Sequence, residues 1–170
     1  MDIKEDSEAS ESDKKSDSVG DKMPEIQYDV TAVKTRLAGY PDDYEALCES
    51  DAFVVVHGQV KSGFEKWEQF LLNTERGDAT LDIVQFTEEG DAIITNLTYA
   101  ENSYYVVVDS TRDAWGIGDY WEEKFAYCNV ILKEGRVVVV MSKDKVDESV
   151  LEEYHEDMGV YHLLQYEITE

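Results

Sequence analysis

Apolar side chains are distributed along this chain in two different ways, and the change comes at Pro24. Before it, the only apolar residues larger than Ala are Met1, Ile3, Val19 and Met23. From Tyr28 onward Val, Leu, Ile, Tyr, Phe and Trp recur every few positions. A segment so poor in apolar groups cannot bury enough surface to offset the entropy of ordering its backbone. Residues 1–24 are therefore expected to form a disordered acidic, Ser-rich linker, and residues 25–170 a single globular domain.

Within the domain the periodicity alternates between helical and strand-like. Asp29 is placed to cap a short helix with Val30, Val33 and Leu37 on one face and Gly39 past its end, although the Val and Thr content leaves a strand open. Pro41-Asp42-Asp43 opens a second short helix, with Tyr44, Leu47 and Cys48 at i, i+3 and i+4 and an end near Glu49. Ala52-Phe53-Val54-Val55-Val56 reads as a strand buried on both faces. His57-Gly58 interrupts it as a bulge would, with Gln59-Val60 continuing.

Ser62 and Glu65 have capping-box spacing. Behind them Phe64, Trp67 and Leu71, supported by Phe70, predict a helix over residues 63–76, with Gly77 as a left-handed cap. An antiparallel meander follows. Alternation predicts strands at Thr80–Phe86, Ala92–Tyr99 and Ser103–Asp109, a long strand from Tyr120 to Leu132, and Val137–Met141, with Gly135 supplying positive φ in the last hairpin. Val146, Val150, Leu151, Tyr154 and Met158 predict a helix over Asp144–Asp157, stopped by Gly159 and followed by a strand at Tyr161–Ile168. Segregated strands predict an α+β fold: an antiparallel sheet of about five to seven strands, one main helix near residues 63–76 packed on it, and short N-terminal and C-terminal helices.

Charge narrows the partners. The chain has a formal net charge of −24 from 39 acidic and 15 basic residues. The linker's eight acids and four lysines leave 31 acids and 11 basic residues in the domain, a net −20. Such a surface repels nucleic acid and anionic headgroups and suits a cationic protein or peptide, or serves solubility alone. The leader contains no run of roughly 7–15 apolar residues of the kind a secretory signal needs. No stretch approaches the ~20 apolar residues of a membrane helix. Read literally, this is a cytoplasmic protein; an acidic Ser-rich leader before a compact domain equally fits the stalk of a secreted lipoprotein after processing.

Candidate chemistry is sparse. Cys48 and Cys128 match no zinc or redox spacing. Paired, they would close a loop of about 80 residues and add on the order of 4 kcal/mol; unpaired, they are ordinary core thiols. His57 has no accompanying nucleophile elbow, so a structural histidine bonding backbone is the simpler expectation. His155 and His162 lack the i, i+4 placement of a helical zinc motif. Asp109-Ser110-Thr111-Arg112-Asp113 begins like a calcium loop, but Ala114 stands where Gly is required and Tyr120 where Glu is required. Asp109 and Asp113 are expected instead to bond nearby backbone amides. The best candidate surface is the run Trp115-Gly116-Ile117-Gly118-Asp119-Tyr120-Trp121, since aromatics on a loop can anchor a partner. The opposing expectation is that these rings fold back over the end of the sheet. Its two glycines lack the third glycine and helix of a dinucleotide fingerprint, and no cofactor or metal is expected.

Tyr40-Pro41, the Asp51–Val56 strand leading into His57-Gly58, and the helix with Phe64, Trp67 and Phe70 occur in a characteristic order. They continue through Ile83-Val84-Gln85-Phe86-Thr87-Glu88-Glu89-Gly90-Asp91, then Asp109-Ser110, Asp113, Trp115-Gly116 and Cys128. In this the chain resembles domain-of-unknown-function family 4362, found in small secreted lipoproteins of Gram-positive bacteria. The resemblance spans Tyr40 to about Cys128 and implies an extracytoplasmic, lipid-anchored origin without implying an activity. The family's second Cys near the C-terminus has no counterpart in Leu163-Leu164-Gln165-Tyr166-Glu167, which leaves Cys48 as the only partner for Cys128.

Three functions of different class follow. The first is a non-catalytic binding or interaction module on a flexible stalk, attached to the membrane only through a lipid anchor. The second is an intracellular acidic inhibitor or immunity-type protein that holds a basic partner electrostatically. The third is a hydrolase using His57 with carboxylates.

Overall fold

The computed structural model describes residues 25–152 and 159–169. The predicted linker, together with Tyr154, His155 and Met158, lies outside the described residues.

Two short helices come first. α1 (Val30–Ala38) is capped by Asp29, whose side chain accepts from the amides of Thr31 at 2.9 Å and Ala32 at 3.3 Å. That cap satisfies otherwise orphaned N–H groups, and burial of Leu37 fixes the helix in a segment whose Val and Thr content would also suit a strand. α2 (Tyr44–Cys48) is capped by Asp43 rather than begun at Pro41, and it buries Leu47.

β1 (Phe53–Val56) and β2 (Gln59–Ser62) then form a hairpin. His57 at φ 48° and Gly58 at φ 79° are its two-residue turn, so the chain reverses here instead of bulging and running on. Two consecutive left-handed residues match the twist of a tight hairpin. α3 (Phe64–Thr74) follows and buries Trp67 and Phe70.

The predicted capping box is not formed. The Ser62 hydroxyl donates to the Cys48 carbonyl at 2.8 Å, and the cap position belongs to Gly63 at φ 74°. A Cβ on Gly63 would stand 2.2 Å from the Ala52 carbonyl oxygen, so close backbone approach selects glycine here. Gly77 is not a left-handed cap either. The helix ends through Glu75 in an ordinary right-handed turn, and the Gly77 amide donates to the Asn73 carbonyl at 3.0 Å.

The remaining strands are β3 (Ala79–Phe86), β4 (Ala92–Ala100), β5 (Ser103–Asp109), β6 (Tyr120–Phe125), β7 (Tyr127–Lys133), β8 (Arg136–Ser142) and β9 (Val160–Glu167), with α4 (Glu148–Glu152) before the last. The fold is α+β, as predicted. The strands divide into a six-stranded sheet of order β2-β1-β3-β4-β5-β6 and a three-stranded sheet of order β7-β8-β9. The pairings are antiparallel except β1 with β3, which is parallel, with Phe53 opposite Ile83. The long strand expected from Tyr120 to Leu132 is broken at Ala126. There the chain leaves the first sheet, and the Ala126 amide donates to the Ser142 carbonyl at 3.1 Å, beginning the second. Phe125, buried beside this step, anchors the crossing.

The larger sheet is covered on both faces. One face carries Phe53, Val55, Leu81, Ile83, Leu97 and Val106, packed under α3 and the smaller sheet. The other carries Val54, Val84, Ile94 and Val107 under α1 and α2. A third cluster, Ile131, Val140 and Leu151, ties α4 to the outer face of the smaller sheet.

Candidate functional site

The segment between β5 and β6 separates into a fixed base and an exposed tip. Asp109 is fully buried, and it accepts from the Thr111 amide at 2.9 Å and from the Arg112 guanidinium at 2.9 Å. Arg112 also donates to Asp42 at 2.9 Å and to the Tyr40 carbonyl at 2.8 Å, stapling the loop to the connection between α1 and α2. Asp113 accepts from the amides of Trp115 and Gly116, both at 3.0 Å. Asp91 holds the Ala114 amide at 3.0 Å, and the Ser110 hydroxyl closes the loop onto the Asp119 carbonyl at 2.7 Å. Asp109 thus has both carboxylate oxygens, and Asp113 its Oδ1, committed to the loop itself. Among the described residues no group of three His, Cys, Asp or Glu side chains is placed to hold a metal.

The aromatic residues of the segment do not act together. Trp121 and Tyr120 fold back. The Trp121 ring lies 4.6 Å from that of Tyr161, and Tyr120 sits under the Lys34 ammonium while packing on the α1 side of the sheet. Trp115 points outward at 82 % exposure, and Ile117 beside it reaches 95 %. Asp119 is exposed and spends one carboxylate oxygen on the Tyr120 amide. The expected Trp115–Trp121 platform is therefore a Trp115–Ile117 tip. Ile117 lies within the expected segment, but a lone aliphatic residue between glycines carries no pattern that singles it out beside the aromatics.

The two cysteines are free thiols, so the candidate Cys48–Cys128 disulfide is not formed. They pack against different core clusters, Cys48 at the end of α2 against the α1-side cluster and Cys128 between the two sheets. Burial pushes the Cys128 thiol up to about 12, which makes it a poor nucleophile. His57 is exposed at its hairpin turn. Its Nε2 lies 3.3 Å from the Thr87 carbonyl, and it has no carboxylate partner among the described residues.

A second constellation lies on the α1 side. Asp82 of β3 is buried, and Asn96 of β4, directly opposite it, is fully so. Asp82 accepts from the Tyr40 hydroxyl at 2.8 Å, from the Asn96 amide at 2.8 Å and from Arg36 of α1. Thr98 donates to Asn96 at 2.7 Å and meets Thr80 at 2.9 Å, so the buried polar groups satisfy one another. Burial and the neighbouring Asp82 carboxylate raise the Tyr40 hydroxyl well above its ordinary range. Beside the network a cleft of about 900 Å³ opens between α3 and the α1–α2 connection, lined by Arg36, Tyr40, Lys66, Gln69, Phe70 and Asp82 among others. A legible signal was available: Asp82 keeps the same phase as Val84, so it had to face a covered side and required partners there.

The model of the family described as domain of unknown function (DUF4362) matches residues 50–143. The chain belongs to this family. The matched region begins just after α2 and runs through β8. It contains the tip-bearing loop and Asp82, and it leaves α1, with Arg36, outside. No curated protein and no solved structure matches the chain.

Proposed function

We propose that this DUF4362 protein is a non-catalytic binding module that captures a cationic protein or peptide surface through the β5–β6 loop. The observation that carries this reading is the contrast within that loop. Trp115 and Ile117 stand largely exposed on a base held by the Asp109 carboxylate, the Arg112 guanidinium and Oδ1 of Asp113. A loop whose backbone is already held loses little backbone entropy on docking, and a protruding aromatic and aliphatic pair on it has the character of an interface anchor. The surrounding excess of 31 acids over 11 basic residues in the domain supplies long-range attraction for a basic partner.

The native protein acts outside the membrane on a lipid-anchored stalk. This rests on the resemblance to secreted lipoproteins and on the polar leader, whose composition suits a tether reaching a few tens of ångströms at roughly 5–6 Å × √n. An N-terminal peptide of the native protein carrying a lipid-modified cysteine would support this placement; a native start at Met1 would contradict it.

Fluorescence anisotropy with lysine-rich peptides, with and without an apolar residue, tests the loop. Binding to the apolar version is expected to fall at least about tenfold in the Trp115→Ser/Ile117→Ser double variant and to weaken steeply with added salt. Unchanged affinity in a folded double variant would remove the loop from consideration. Trp121 is unsuited to this test, because its contacts with Tyr161 and Phe125 make it part of the packing.

A further inference from the structure

We propose that the cleft between α3 and the α1–α2 connection is a binding site for a small zwitterion of the free amino acid type. Arg36 would receive the carboxylate, and the acidic rim formed by Asp51 and Glu65 would receive the ammonium. The proposal is independent of the β5–β6 loop.

The first observation is a pre-positioned arginine. The buried Asp82 carboxylate holds Arg36 through Nη1 and is itself fixed by Tyr40 and Asn96. The Arg36 side chain is 48 % exposed and lines the cleft, and its other guanidinium N–H groups have no acceptor among the described residues. A planar fork held on one side by a buried acid and open on the other suits recognition of a carboxylate. It costs less entropy than ordering a free surface arginine.

The second observation is the charge balance of the lining. Arg36 and Lys66 face Asp51, Glu65 and Asp82, with Lys66 already paired to Asp51. The lining therefore carries one net negative charge inside a strongly acidic molecule. A simple anion would meet repulsion, and a simple cation would leave the Arg36 fork unused. A ligand with both signs satisfies both ends.

The third observation is size and floor. A volume of about 900 Å³ lies within the range of small-molecule sites. The buried Phe70 and Leu81 give it an apolar base. Glu65, Gln69 and Asn73, each four residues apart on α3, supply a polar row along one wall.

The test is a titration of the full isotope-labelled chain with each of the twenty free amino acids, and with acetate and methylamine as half-ligands, followed by amide chemical shifts. At least one amino acid is expected to shift Gly39, Gln69 and Asn73, with affinity about tenfold or more above either half-ligand. Arg36→Gln should lose the zwitterion at least about tenfold. Glu65→Gln, at an exposed position, should weaken the amino acid while leaving acetate unchanged. Asn73→Leu, which intrudes on the cleft from a half-buried position on α3, should also abolish binding if Arg36→Gln perturbs the fold. No shift with any probe, acetate or methylamine binding as well as the amino acid, or shifts confined to residues 113–119, would each overturn the assignment.

Discussion

The two faces of the six-stranded sheet are built by opposite means. On the face under α3 and the smaller sheet, cohesion comes from ring contacts: Phe53 lies 6.2 Å from Trp67 and 5.7 Å from Tyr166. Its one prominent polar bond there, Trp67 Nε1 donating to the Tyr166 hydroxyl at 3.0 Å, joins α3 to β9. The face under α1 and α2 has small apolar residues around a buried polar row, Asp82, Asn96 and Thr98. The apolar face depends on area removed from water and is insensitive to direction. The polar face depends on every donor finding its acceptor, and it fixes where Arg36 and Tyr40 stand. Both candidate sites join the α1 side. The cleft opens from the polar row, and the loop is stapled there through Arg112.

Mutations should separate the faces in a graded series. Trp67→Ala should have the largest effect, about 3–5 kcal/mol by denaturant unfolding, because it removes a side chain that is 1 % exposed and strands the Tyr166 hydroxyl. A loss below about 1 kcal/mol would show that α3 is not integral to the apolar face. Asp82→Ala should cost less, about 1–3 kcal/mol. It orphans the Tyr40 hydroxyl, but Asn96 keeps Thr80 and the Leu81 carbonyl as acceptors and the half-exposed Arg36 regains water. Asp82→Asn should recover part of that loss, since an amide oxygen still accepts; equal losses in both variants would mean that charge, not hydrogen bonding, holds the polar face together.

A smaller, pH-dependent effect sets in first on the apolar side. Burial pushes both the Cys128 thiol and the Tyr104 hydroxyl up to about 12. In the unfolded chain they lose protons near pH 8.5 and pH 10, approximately. The folded state therefore keeps its protons longer. Stability should be level below about pH 8.5 and decline as pH rises from there towards about 12. In Cys128→Ser the decline should begin only near about pH 10. Unfolding midpoints measured across this range decide it, and an unchanged onset would dissociate the thiol from the trend. The smallest effect should come from Trp115→Ala, within about 0.5 kcal/mol of the parent, because the ring rests on nothing. A larger loss would mean that the tip contributes to folding as well as to contact.

Much of the architecture could be read from the residues because local rules acted alone. The Asp29 cap, the aromatic stripe of α3, the Gly135 turn and the alternation of β3 to β5 each depend on neighbours a few residues away. The failures occur where a distant group competes. Ser62 has the spacing of a cap, yet the Cys48 carbonyl takes its hydroxyl and Ala52 leaves room only for Gly63. Tyr120 to Leu132 carries no turn signal, yet Ser142 captures Ala126 and divides it between two sheets. His57-Gly58 looks like an interruption and is a reversal.

By itself, the sequence determined which segments can bury themselves, their helical or extended period, and an acidic surface, because composition and periodicity are properties of neighbouring residues. Tertiary structure alone decided that β1 lies parallel to β3, that Trp121 packs while Trp115 stands free, and that Arg36, Tyr40 and Asn96 converge on Asp82. The physical reason is that a buried carboxylate must be answered by donors, and those donors lie 14 to 46 residues away along the chain.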